Sequence, residues 1–82
     1  MKTINLNSTE IAVSEIATVT IIDVGYAREI KQTRYSFKVI TKQGHVETIY
    51  SFEDENTEST FVFDALEEAR QDIIKTWKEH KL

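Results

Sequence analysis

The sequence predicts an α+β domain, a bent antiparallel sheet of about five strands followed by one C-terminal amphipathic helix. Three observations carry that expectation. Residues 35 to 52 fold back on themselves about Gln43-Gly44 with one largely apolar face. Residues 16 to 24 are dense in β-branched side chains, which suit a pleated, half-buried surface. From Val62 to Trp77 the apolar residues recur at helical spacing.

The first strand is expected over about 2–7. Asn7-Ser8-Thr9 breaks it, and pairing Leu6 with Ile11 and Ile4 with Val13 makes a hairpin with a second strand over about 10–14. Ser14-Glu15 interrupts the pattern before a third strand over about 16–24, with Ala17, Val19 and Ile21 on one face and Thr18, Thr20, Ile22 and Val24 on the other. Gly25 to Thr33 is polar and mixed in charge. It reads as a connecting loop, or as a flexible tip into which the strands extend.

The fourth and fifth strands, about 34–42 and 45–53, form the central hairpin. Partners summing to 87 place Tyr35 with Phe52, Phe37 with Tyr50, Val39 with Thr48 and Thr41 with Val46 on the core side. The other face then holds Ser36 with Ser51, Lys38 with Ile49, Ile40 with Glu47 and Lys42 with His45. Side chains alternate along a strand, so a slip of one residue would exchange these faces.

The helix is expected over about 58–80. Val62, Phe63, Leu66, Ala69, Ile73, Ile74 and Trp77 share one side, and Arg70 lies among them with its head reaching water. Two starts compete. Thr57 serves as N-cap in one; in the other Asp64 caps with Glu67 three residues on, and Thr60 to Phe63 form a last strand. The apolar stripe favours the earlier start.

Eighty-two residues make one domain, 1–82, with a thin core and no cysteine to reinforce it. The Met start and helical end are those expected of a whole chain. No stretch has the apolar run of a signal peptide or of a membrane span, so a cytoplasmic protein is expected. Net charge is −4 but unevenly laid out: residues 27–45 carry +4 and residues 46–72 carry −8. The plain reading is that the two blocks face each other across the fold.

No constellation for catalysis is found. His45 and His80 have no acid or nucleophile at a telling spacing, and the serines sit in no Gly-x-Ser-x-Gly elbow. No glycine-rich phosphate loop exists, and the acids at 53–58 lack the pattern of a calcium loop. No catalytic, cofactor or metal residue is therefore expected, and no small-molecule substrate. Basic residues interleave with Tyr26, Tyr35 and Phe37, but Tyr35 and Phe37 belong to the core and the chain is acidic, which argues against nucleic acid. Ile40 and Ile49, with Ile22 beside them, form a candidate interface on the outer face. Glu53, Asp54, Glu55 and Glu58 form a candidate acidic contact.

The segment Glu10 to Val19, the central hairpin and the terminal helix ending near Trp77 together resemble small bacterial and phage PH-like (pleckstrin-homology-like) domains. The resemblance implies a helix plugging one end of a bent barrel, with the tryptophan in the packing, and a binding scaffold. About five strands take the place of the family's seven. The first hairpin loop, Asn7-Ser8-Thr9-Glu10, has none of the basic residues of lipid-binding members, so no ligand site is carried over. The functional expectation is a non-enzymatic module that binds a protein partner or forms a homodimer. The alternative is an acidic phage-type inhibitor or antitoxin-like regulator that blocks a basic surface on another protein.

Overall fold

The computed structural model describes residues 2–54 and 61–81. Among them six strands form two antiparallel sheets, bent and not closed, and a C-terminal helix follows. The first sheet is the hairpin of β1 (Thr3–Leu6) and β2 (Thr9–Ala12). A single 3₁₀ turn, Val13–Glu15, leads into β3 (Ile16–Val19). The second sheet joins β3, β4 (Asp23–Ala27), β5 (Gln32–Thr41) and β6 (Val46–Asp54). The helix α1 runs over Phe61–Lys81.

The first hairpin pairs Ile4 with Ile11 and Leu6 with Thr9. Its loop is therefore the two residues Asn7 and Ser8, both left-handed (φ 52° and 66°), as a type I′ turn requires. The expected pairing of Leu6 with Ile11 was two residues out. A shift of two preserves the faces, so Leu6 and Ile11 are both buried in the core as expected.

The expected strand 16–24 is divided. β3 pairs with the far end of β5, Ile16 opposite Thr41 and Val19 opposite Val39, with a bulge between Ile16 and Thr18. β4 pairs with the near end, Asp23 opposite Ser36 and Ala27 opposite Gln32. Since β6 pairs with β5 from Gln32 to Ile40, β3 and β4 must share the opposite edge. They form one irregular border broken at residues 20–22. The strands thus extend into 25–33, leaving a four-residue loop at 28–31 in which Lys31 is left-handed (φ 53°).

The central hairpin departs from expectation by one residue. Partners sum to 86: Tyr35 faces Ser51, Phe37 faces Ile49, and Val39 faces Glu47. The loop explains the shift. Gly44 N–H donates to Thr41 C=O (3.0 Å) and Thr41 N–H donates to His45 C=O (2.9 Å), closing a three-residue loop, Lys42-Gln43-Gly44. Gly44 alone is left-handed, at φ 88°. A two-residue loop at Gln43-Gly44 would need positive φ at Gln43 as well, which a residue with a Cβ adopts at a cost of about 1–2 kcal/mol. The three-residue loop avoids this. Phe37 and Val39 remain core residues, but Tyr50 and Phe52 pass to the outer face and Ile49 passes inward.

Leu6, Ile11, Ile16, Phe37, Val39 and Leu66 form the core. Ile73 and Trp77 pack against it from the helix, as the periodicity indicated, whereas Ala69 is exposed. Asp64 lies inside α1 and is no N-cap, and 61–63 is helix and not a last strand; Thr57 falls outside the described residues. Phe63 meets Tyr35 edge-on, with ring centroids 5.7 Å apart. Arg70 reaches Thr20, beside Lys38, and Trp77 lines a hollow with Ile16 and Lys42. Steps of seven helical residues, about 10.5 Å, thus match steps of three to four strand residues, about 10–13 Å. The helix lies along β5 in the same direction.

Candidate functional site: the outer face of the central hairpin

The hydrogen bond from Thr41 to His45 fixes the phase of the β5–β6 ladder. Odd-numbered residues of β6 bond to β5, and even-numbered residues turn their N–H and C=O to the opposite edge. Two contacts agree with this. Lys38 C=O, on β5, accepts from Thr20 N–H on the β3 side (2.8 Å), and Thr48 C=O accepts from Asn7 Nδ2 (2.7 Å). Asn7 also donates to Glu47 Oε1 (3.2 Å), so the tip of the first hairpin caps β6 at 47–48. From Tyr50 to Asp54 no strand among the described residues pairs with that edge.

The outer face is built by the register. Arg34 pairs with Phe52, Ser36 with Tyr50 and Lys38 with Thr48, and Asp23 of β4 borders Ser36. Together they line a shallow concavity of about 490 Å³. Tyr50 is 56% exposed and Phe52 39%, and their rings meet edge-to-face at 5.6 Å. Large aromatic side chains are usually mostly buried, so two adjacent exposed ones are informative. Arg34 and Lys38 give the hollow a positive character that Asp23 offsets only in part.

The residues expected to form sites are placed differently. Ile49 and Ile22 are half-buried against the core, and only Ile40 of that trio holds to the outer face, opposite Val46. The Ile22, Ile40, Ile49 interface is therefore not a single exposed patch: the one-residue register shift puts Ile40 and Ile49 on opposite faces. Glu53 is buried, and Tyr35 Oη donates to its Oε2 (2.8 Å). That hydrogen bond, with burial and the carboxylate's charge, holds the Tyr35 phenol above its ordinary 10.0. Glu53 is thus part of an internal pair and no surface acid. Asp54 ends β6, and Glu55 and Glu58 lie outside the described residues.

His45 immediately precedes β6, with its Nε2 2.9 Å from Glu47 Oε2. This contact and the one from Asn7 lower Glu47 from its ordinary 4.5. Among the described residues no three His, Asp or Glu side chains gather as metal ligands would, and no helix is long and apolar enough to cross a membrane. The sequence reading missed Tyr50 and Phe52 because it assigned them to the core. The available signal was the turn: Gln-Gly lacks the Asn or Asp that a two-residue loop favours at its first position. No protein-family model, no curated protein and no solved structure matches this chain.

Proposed function

We propose that the chain is a non-catalytic binding module that holds a protein partner on the outer face of its central hairpin, at Tyr50 and Phe52. The observation that carries this reading is the exposed, mutually packed aromatic pair beside Arg34 and Lys38 in a shallow hollow. Aromatic and arginine side chains are the residue types that dominate protein interfaces, and such a pair gains most when a partner excludes water from it. The adjoining edge of β6 offers backbone N–H and C=O groups that a polypeptide matches and a nucleic acid does not. The likeness to PH-like scaffolds is compatible with a binding role at the level of fold analogy. The alternative of an acidic inhibitor loses support from Glu53, whose carboxylate is committed to Tyr35.

A photoreactive benzoylphenylalanine at position 50, expressed in cells, tests the reading. A protein adduct is expected from position 50 and none from position 71, on the exposed side of the helix. Equal labelling at both positions, or no adduct at 50, would refute it.

A further inference from the structure

We infer that the partner seated on this surface is a second copy of the chain, joined antiparallel along the free edge of β6 with its two-fold axis at Phe52. The inference rests on the binding-face reading above and adds the occupant. It starts from the edge itself. Tyr50, Phe52 and Asp54 turn their backbone donors and acceptors away from β5, and no described strand takes them. Natural sheets protect such edges by shortness, charge, bulges or cover. Here Asn7 caps the edge only at Thr48, and the stretch beyond carries the two exposed rings.

Four two-fold centres, Tyr50, Ser51, Phe52 and Glu53, bring the open edge against its own copy within the described strand. A centre at Ser51 pairs Thr48 with Asp54 of the second copy and so requires the Thr48 carbonyl, which Asn7 already holds; a centre at Glu53 sets Glu53 against itself, a like-charge contact. Centred on Tyr50, the pairing places Glu47 opposite Glu53 of the second copy, a direct like-charge contact. It also requires the Thr48 carbonyl, which Asn7 already holds. Centred on Phe52, the pairing places Glu53 opposite Ser51 and Asp54 opposite Tyr50, with no like charges opposed. The Asn7 contact then stays intact. Both observations select the Phe52 centre.

In that register the second sheets of two copies become one continuous sheet. Phe52 meets Phe52 of the second copy, and Arg34, the cross-strand neighbour of Phe52, flanks the ring pair from each side. The arrangement is isologous and closes at two copies. It also adds a second apolar cluster, on the outer face, to a domain whose fully buried large side chains are only Phe37, Ile16, Val13 and Val39 among the described residues.

Light scattering across a gel-filtration peak should give twice the 9.5 kDa of the chain. Phe52→Glu should weaken dimerisation at least tenfold, as should Phe52→Lys, and an equimolar mixture of the two should restore it. The chain has no cysteine, so single-thiol variants report the register directly. Residues opposed in a hydrogen-bonded antiparallel pair have Cα atoms about 5.5 Å apart, within the disulfide range of about 4.4–6.8 Å. Phe52→Cys should therefore link two copies on mild oxidation. Tyr50→Cys should not, since two such residues would lie four positions apart, about 13 Å. Should Phe52→Glu fail to fold, the cysteine variants decide. A monomer at millimolar concentration, or a dimer that Tyr50→Cys links and Phe52→Cys does not, overturns the inference. A monomer whose position 50 still crosslinks to a different protein refutes self-pairing while leaving the binding face standing.

Discussion

Thr20 uses its side chain where a strand residue ordinarily uses its backbone. Its N–H donates to Lys38 C=O, but the returning Lys38 N–H meets Thr20 Oγ1 (2.8 Å) instead of the carbonyl. The released carbonyl accepts from Arg70 Nε (2.7 Å), and Arg70 Nη1 bonds Glu67 Oε1 at 2.9 Å. One residue thus breaks the β3–β4 border and supplies the anchor for the helix. Arg70 was expected to reach water; it is only 13% exposed and ends on the sheet. A hydrogen bond from a charged group contributes about 1.5–3 kcal/mol and a neutral one about 0.5–1.5. Arg70→Met should lower urea stability by about 1.5–3 kcal/mol, and Thr20→Val by about 0.5–1.5 kcal/mol. Because both act at one junction, the double variant should lose less than the sum by at least about 0.5 kcal/mol. Strict additivity would show that the two contacts are independent.

At the level of elements, loop length decides everything the register controls. The first hairpin differs from its expected pairing by two residues and keeps its faces; the central hairpin differs by one and exchanges them on β6. Gly44 is the pivot. A Cβ there would meet nothing within 4 Å, so a substitution is opposed by backbone conformation alone. Gly44→Ala should cost about 1–2 kcal/mol, and Gly44→Asn distinctly less, since Asn tolerates the left-handed region. Equal urea midpoints for Ala and Gly would mean the loop is not the one described. Much of the architecture was nonetheless legible. The strand-rich body, the breaks at Asn7 and Gly44, the core roles of Phe37 and Val39, and the helical stripe of Leu66, Ile73 and Trp77 follow from periodicity. Periodicity fixes which residues of one strand share a face. It does not fix which face of the next strand joins them, because that depends on the dihedral angles of three or four turn residues. The candidate site was hidden for this reason: Tyr50 and Phe52 have the composition of a core and the address of a surface.

The whole molecule is elongated, 43 × 21 × 20 Å, with the helix laid along β5. Part of each charge block is separated by the sheet: Arg34 and Lys38 stand on the outer sheet face, whereas Asp64, Glu68 and Asp72 are exposed on the helix beyond the core. These basic and acidic residues therefore lie on opposite sides of the sheet–helix sandwich. Two polar contacts join parts remote in sequence, and they titrate at opposite ends of the pH scale. Glu47, lowered by His45 and Asn7, ties the first hairpin to β6. A carboxylate with a depressed folded value stabilises above its unfolded 4.5, and that contribution fades as pH falls through the folded value. Tyr35, raised by Glu53, joins β5 to β6 close to the helix through Phe63. A phenol with a raised folded value contributes fully below its unfolded 10.0 and loses that contribution as pH rises through the folded value. Urea unfolding followed by the single Trp77 should therefore show wild type exceeding Glu47→Gln near neutrality, with the gap closing below pH 4.5. The gap to Tyr35→Phe should stay level to pH 10 and close above it. A Glu47→Gln curve parallel to wild type from pH 3 to 7 would mean that the Asn7–Glu47–His45 bridge does not couple the two sheets, and the first hairpin would then be held by Leu6 and Ile11 in the core and by the Asn7 contact to Thr48 C=O.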